Sequence, residues 1–216
     1  MKIFFTLFKV VLLVVSVFHL YACIKGKEKI RRVTKCLLMP TIILIIIFSE
    51  KINLYLIIGL IFSLLGDFFL LWNTKKKFFV FGLFSFLICH IFYIIAFISK
   101  LSYDFNLTIY LIFIGVGIIF VLVANKITSK NMKKLSTICN LYAYIIFTGI
   151  VCSALLIIDN KDFNSNLVLF GYLLFMISDS TLAYTTFKKD IKYSNFYIMM
   201  TYILAQFLIN MGLLYL

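Results

Sequence analysis

The sequence has few charged residues, a single proline and no low-complexity tract. Charged residues make up 13% of the 216 residues, hydrophobic residues make up 64%, and the mean hydropathy is +1.11. A soluble globular domain has about 25% charged residues. This composition therefore excludes a soluble globular domain. No polar linker or soluble insert interrupts the chain, and we therefore predict one domain over residues 1–216.

Cysteine and histidine are also sparse. The five cysteines form no CxxC pair and lie in or at the ends of apolar segments, so we expect reduced packing residues. The two histidines belong to no HxxxH or HxxE pattern, which disfavours a metal centre. The sequence predicts neither a metal nor another cofactor.

Apolar stretches long enough to cross a ~30 Å hydrocarbon core recur along the whole chain. The sequence predicts an all-α integral membrane protein, a bundle of eight transmembrane helices at 3–24, 36–49, 53–72, 78–98, 107–125, 138–158, 166–187 and 195–215. The second span is short. Pro40 near its start fits the beginning of a helix.

Lysine and arginine alternate between connecting segments. The segments 25–35, 73–77, 126–134 and 188–192 hold six, three, four and three of them, whereas each intervening segment holds one. The positive-inside rule then places both termini on the extracytoplasmic side of the cell membrane. The net charge of +13 is explained by this topology and by attraction to anionic lipid headgroups, without a nucleic-acid partner.

The N-terminal segment has a second interpretation, because its basic start, apolar run and Leu-Tyr-Ala-Cys ending at Cys23 resemble a lipoprotein cleavage site. Cleavage would carry the six following basic residues outward, which the positive-inside rule disfavours. We therefore expect the first helix to be retained.

A weak internal repeat appears at an offset of 112 residues. Gly59 and Asp67 correspond to Gly171 and Asp179 at the same spacing of eight. A parallel repeat of four helices would bring both aspartates in from the same side of the membrane. Chance similarity between apolar segments is the competing explanation.

Three ionisable residues lie inside apolar spans: Asp67 in LLGDFFLLW (64–72), Asp179 in LFMISDSTLAY (174–184), and His90. Each costs about 2.5–3.5 kcal/mol on insertion scales, so a chain that keeps three of them is expected to use them. The topology places all three in the cytoplasmic half of the bilayer. They are the predicted active site.

Further polar residues fall where they could line the same cavity. Phe86, His90, Tyr93 and Phe97 share one helical face. The candidate substrate-binding residues are Lys35, Tyr93, Ser178, Tyr202 and Gln206. Interhelical packing is the alternative explanation for the stripe of Tyr202, Gln206 and Asn210. His19, near the inner end of the first span, is expected to be structural.

Five motifs, in order and spacing, resemble the YhhN-like family of multi-spanning membrane proteins, which includes the animal lysoplasmalogenases. They are TKCLLMP (34–40), LLGDFFLLW (64–72), FGLFSFLICHIFY (81–93), GYLLFMISDSTLAYTTF (171–187) and TYILAQFLI (201–209). The resemblance covers about residues 30–210. Cys36 departs from it, because the family more often has a proline after the lysine.

The resemblance implies hydrolysis of the vinyl-ether bond of a lysophospholipid, the lysoplasmalogen, to a fatty aldehyde and glycerophosphoethanolamine or glycerophosphocholine. Enol-ether hydrolysis starts with protonation of carbon and resembles glycoside cleavage, in which one carboxyl donates a proton and a second stabilises positive charge. Two carboxyls in one low-dielectric cavity do not both ionise readily. We therefore expect Asp67 and Asp179 to form this pair, His90 to orient water, and Lys35 to hold the phosphate.

Two other functions stay open. Two aspartates and a histidine could hold a divalent ion in a metal-assisted hydrolase. A proton-coupled carrier for a lipid or a small molecule could use the same intramembrane carboxylates, although carriers commonly have broken helices rich in glycine and proline. This chain has nine glycines and one proline.

Overall fold

The computed structural model describes residues 1–71, 76–102, 115–119, 121–122 and 136–216. Within these ranges all regular structure is α-helical. The helices are α1 (Lys2–Lys25), α2 (Glu28–Ile47), α3 (Leu54–Leu71), α4 (Lys76–Ile98), α5 (Ser136–Asn160), α6 (Phe163–Phe187) and α7 (Ser194–Tyr215).

Within the described ranges, six of these helices are long and apolar enough to cross a membrane: all except α2. They coincide with six of the predicted spans, so the assignment of a multi-pass helical membrane protein is confirmed. The predicted span 107–125 lies largely outside the described residues, and its described parts, 115–119 and 121–122, are helical. The basic segments 73–77 and 126–134 also lie largely or wholly outside them.

The second helix corrects one sequence-based prediction. α2 begins at Glu28, so Pro40 lies in its interior and not near its start. Most of the predicted basic loop 25–35 is therefore the charged N-terminal part of a helix. Arg31 donates to Glu28 at 2.7 Å, and this hydrogen bond lowers the pKa of the Glu28 carboxyl. A carboxylate in the first turn stabilises a helix start, which explains why the helix begins ahead of the apolar segment.

Neighbouring helices pack as hairpins. The pairs are α1 with α2, α3 with α4, and α6 with α7, while α5 packs on α4 and α6. Gly26 ends α1 with a φ of 65°, and its N–H donates to the carbonyl of Ala22. This left-handed conformation is accessible to glycine at little cost, so α2 can follow after a very short connection.

Glycine also allows α6 and α7 to approach closely. A Cβ atom at Gly171 would lie 2.9 Å from the backbone nitrogen of Ile209 and 3.0 Å from Cβ of Leu208. Small residues permit such close approaches of membrane helices. Gly59, its counterpart in the internal repeat, faces the ring of Tyr93 on α4. The repeat itself stays a prediction.

We expect Gly171→Ala to lower the thermal unfolding midpoint, because overpacking against backbone costs about 1–3 kcal/mol. Circular dichroism of the detergent-solubilised protein measures the midpoint. Gly115→Ala is the matched control, since a Cβ atom there meets no described residue within 4 Å. Equal midpoints for the two variants would contradict the close packing of α6 on α7.

Candidate active site

Asp67 lies buried on α3 between two partners. The Nζ atom of Lys35, on α2, is 3.2 Å from Oδ1 of Asp67. The hydroxyl of Tyr202, on α7, donates to Oδ2 at 2.8 Å. The side chains of Asp67 and Lys35 are 2% and 10% exposed. A buried carboxylate with both oxygens engaged by an ammonium and a hydroxyl is a satisfied charge that joins three helices.

A polar network extends from Tyr202 along α7. Ser63 bonds to the hydroxyl of Tyr202 at 2.6 Å, and Gln206 donates to Ser63 at 2.8 Å. Tyr93 of α4 donates to the side-chain oxygen Oε1 of Gln206, and Asn210 donates to the Tyr93 hydroxyl at 3.1 Å. Most of the hydrogen-bonding groups of these residues bond to one another, while Oδ1 of Asn210 is buried with no partner among the described residues. The arrangement matches interhelical packing.

Asp179 belongs to a second polar cluster. The hydroxyl of Tyr142, on α5, donates to Oδ2 of Asp179. Nε2 of His90, on α4, lies 3.2 Å from the Tyr142 oxygen and 3.7 Å from the same carboxylate oxygen. Nδ1 of His90 lies 2.7 Å from the hydroxyl of Tyr172, on α6. His90 thus links α4 to α5 and α6, and it reaches Asp179 through Tyr142.

Two phenylalanines lie between the clusters. The Phe175 ring is 4.6 Å from His90 and 5.5 Å from Tyr202, centroid to centroid. The Phe86 ring is 6.0 Å from Tyr202, and it occupies the space that a side chain at Gly66 would need. Among the described residues, no hydrogen bond or ion pair joins the Asp67 cluster to the Asp179 cluster.

A cavity of about 300 Å³ opens beside Asp179. Its lining is mostly apolar and comes from α3, α4, α5 and α6: Leu70, Phe79, Leu83, Phe86, Cys139, Asn140, Tyr142, Ala143, Ile146, Met176, Asp179, Ser180, Leu182, Ala183, Tyr184 and Phe187. Asp179 is the one carboxyl in this described lining. The volume falls at the lower end of ligand pockets, about 300–1,000 Å³.

A second, more open recess continues from this cavity along α6. It shares Met176, Ser180 and Tyr184 with the cavity and ends at Lys189 and Asp190. The two spaces adjoin along α6, and the charged side chains lie at one end of the recess. An elongated amphiphile bound across them would have its chain against apolar side chains and its polar end near the charged residues.

The predicted site residues divide between these features. Asp179 lines the cavity, while Asp67, Lys35, Tyr93, Tyr202 and Gln206 form the buried network behind Phe86. Ser178 is buried, donates to the backbone carbonyl of Ile198 at 3.0 Å and does not line the cavity. The helical period turns Ser178 about 100° away from Asp179.

The tyrosines around His90 were not among the predicted site residues. Tyr142 lies in LYAYIIF (141–147), an aromatic-rich segment that resembles its neighbours. Tyr172 lies seven residues, or about two helical turns, before Asp179. This spacing places Tyr172 on the same helical face as Asp179 and could have identified it as a site residue. No pattern in the sequence identifies Tyr142.

His19 contacts the neighbouring helix α2. Its Nδ1 lies 2.8 Å from the hydroxyl of Thr34, and its ring is buried between α1 and α2. Within the described parts of the chain, no group of three or more His, Cys, Asp or Glu side chains is placed to hold a metal ion.

The chain resembles proteins of one family over most of its length. The model of the YhhN family matches residues 30–213. A curated relative, the lysoplasmalogenase homolog of Dictyostelium discoideum, is 41% identical over 68 residues, which are 32% of this chain and 21% of the relative. The match therefore covers about a fifth of that relative's length. No solved structure matches the chain.

Proposed function

The chain belongs to the YhhN family, and from that membership we propose that it is a membrane-embedded hydrolase of the vinyl-ether bond of lysoplasmalogens. The products are a fatty aldehyde and a glycerophosphoethanolamine or glycerophosphocholine. The observation that carries the proposal is one carboxyl group, Asp179, on the wall of a mostly apolar cavity in a helical membrane protein. We place the protein in the cell membrane.

The shape and chemistry of the cavity support a lipid-like substrate. Its wall combines aliphatic and aromatic side chains with few polar groups. Lysoplasmalogens carry one alkenyl chain, and its first two carbons form the vinyl ether. With the chain in the cavity, this double bond would lie at Asp179 and the phosphate would point along α6 toward Lys189.

Asp179 would supply the proton that starts the reaction. In its protonated form it transfers a proton to the vinyl carbon β to the ether oxygen, and the remaining cation is an oxocarbenium ion next to the new carboxylate. A water molecule adds to that ion and returns a proton to Asp179. The resulting hemiacetal then breaks down to an aldehyde and the glycerol hydroxyl. This series of steps resembles acid-catalysed glycoside cleavage, in which a carboxyl donates the proton and a nearby carboxylate stabilises the cation.

Asp67 has a different role in this proposal from the one expected, in which it formed a catalytic pair with Asp179. Asp67 is paired with Lys35 behind the Phe86 ring, so it does not share the cavity with Asp179. We assign it a positioning role, in which the ion pair and Tyr202 hold α2, α3 and α7 together behind the cavity wall. Lys35, Tyr93, Tyr202 and Gln206 then support the site from behind, and Ser178 ties α6 to α7.

We expect the detergent-purified protein to release aldehyde from ethanolamine or choline lysoplasmalogen. The aldehyde is measured by coupled reduction with an alcohol dehydrogenase, and the saturated 1-alkyl ether analogue is the matched control, because it has no double bond to protonate. Activity unaffected by a strong chelator would exclude metal-assisted hydrolysis. A folded protein that leaves both lysoplasmalogens untouched would contradict the proposal and favour a carrier.

A further inference from the structure

The hydrogen-bond chain that ends at Asp179 has a defined direction. A tyrosine hydroxyl has one hydrogen to donate and can also accept. Tyr142 donates its hydrogen to Oδ2 of Asp179, so it must accept from its other partner, Nε2 of His90. Nε2 of His90 therefore carries the ring hydrogen.

Nδ1 of His90 is expected to carry no hydrogen. Nδ1 of His90 lies 2.7 Å from the hydroxyl of Tyr172, the one hydrogen-bond partner of that hydroxyl in the described structure. If Nδ1 were also protonated, the hydrogen of Tyr172 would have no acceptor in a buried, largely aromatic site, which is unfavourable. His90 is therefore neutral. The hydrogens run in one direction, from Tyr172 to His90, Tyr142 and Asp179.

His19 is expected in the opposite tautomer. The hydroxyl of Thr34 donates to the backbone carbonyl of Ile30 at 2.7 Å, so it accepts from Nδ1 of His19. Among the described residues, Nε2 of His19 is buried and has no hydrogen-bond partner, which suits an unprotonated nitrogen better than a donor. The two histidines of the chain are thus predicted to differ in which ring nitrogen carries the hydrogen.

The direction of the chain distinguishes the two oxygens of Asp179. Oδ2 accepts from Tyr142, so Oδ1 is the oxygen left for a ligand in the cavity. A carboxyl held by one oxygen presents the other in a fixed orientation, and such preorganisation by supporting residues aids proton transfer.

We infer that Tyr142 is a positioning residue that fixes Asp179 with Oδ1 toward the cavity, and that His90, held as the Nε2–H tautomer between Tyr172 and Tyr142, acts through Tyr142. Its catalytic consequence rests on the proposed function, whereas the tautomer assignment does not. His90 then acts on Asp179 through Tyr142, and it does not orient the reacting water as the sequence predicted.

Nitrogen NMR of the protein labelled with ¹⁵N-histidine tests the assignment directly. The chain has two histidines, and His19→Gln identifies the signals of His90. We expect a neutral His90 with the hydrogen on Nε2 near neutral pH, beside a His19 with the hydrogen on Nδ1. A His90 that is doubly protonated, or protonated on Nδ1 alone, would overturn the inference.

Two variants separate a directed chain from simple packing. Tyr142→Phe removes the acceptor of the Nε2–H, so the ¹H and ¹⁵N signals of that N–H group should shift, while the hydrogen stays on Nε2 because Tyr172 still donates to Nδ1. Tyr172→Phe should leave the hydrogen on Nε2. Tyr144→Phe, two residues from Tyr142 on the same helix, should leave the spectrum unchanged. If Tyr142→Phe left the signals of the Nε2–H group unaltered, His90 would not be coupled to Tyr142 as inferred.

Kinetics supply the second readout. Proton transfer turns Asp179 into a carboxylate, and one hydrogen bond to a charged group corresponds to about 10- to 100-fold, so we expect Tyr142→Phe to lower kcat by that factor with little change in KM. Tyr144→Phe should keep wild-type kcat. An unchanged kcat in Tyr142→Phe would remove its positioning role. A wild type without lysoplasmalogenase activity but with the expected tautomers would reject the proposed reaction and leave the hydrogen-bond chain standing.

Discussion

The Asp179→Asn protein is expected to fold like the wild type and to release no measurable aldehyde from a lysoplasmalogen. Asparagine has nearly the same shape as aspartate, and its amide oxygen can still accept from Tyr142. It has no acidic proton near neutral pH. Removal of a general acid costs about 10²–10⁴-fold in rate, and the proposed mechanism has no other carboxyl in the cavity. Aldehyde release at saturating substrate measures the loss.

The control for Asp179→Asn is Glu50→Gln, which changes an exposed carboxylate in the connection between α2 and α3. Both variants should have thermal unfolding midpoints within a few degrees of the wild type, and Glu50→Gln should keep full activity. Aldehyde release by purified Asp179→Asn at a tenth or more of the wild-type rate would exclude Asp179 as the proton donor. Full activity loss together with a collapsed midpoint would instead indicate a structural role.

The sequence predicts the helices that consist of long apolar segments, but it does not predict the helical conformation of a charged segment. Six spans match described helices because about twenty apolar residues have few alternatives to a membrane helix. Residues 28–35 are basic and were assigned to a loop, yet they form the start of α2. Charge patterns report which side of a membrane a segment faces and do not report its backbone conformation.

The sequence singles out the ionisable residues of the candidate site but does not show how they are grouped. Asp67, His90 and Asp179 stood out because each is polar in an apolar segment. Helical periodicity gives the face of each residue but not the neighbour that this face meets. Whether two carboxyls share a cavity therefore depends on the packing of Phe86 and Phe175, which look like any other phenylalanine among the 25 of this chain.

Replacing Asp67 by Asn is expected to damage stability more than chemistry. The substitution leaves the ammonium of Lys35 buried without its counter-charge, 10% exposed and among helices of a membrane protein. Breaking a buried ion pair by removing one partner costs about 3–5 kcal/mol. Denaturant titration in detergent micelles measures the free energy of unfolding. A loss below about 1 kcal/mol would show that the pair does not hold α2 on α3.

The double variant Lys35→Met, Asp67→Asn distinguishes the unpaired charge from the missing carboxylate. Methionine removes the ammonium and retains an apolar side chain of similar length, and the Asn amide still accepts from Tyr202. Much of the lost stability should therefore return, since replacing both partners of a buried pair is often close to neutral. If the double variant is stable and hydrolyses lysoplasmalogen, Asp67 only positions the helices. If it is stable and inactive, the Asp67–Lys35 pair takes part in the reaction, and Phe86 must move to let it reach the substrate.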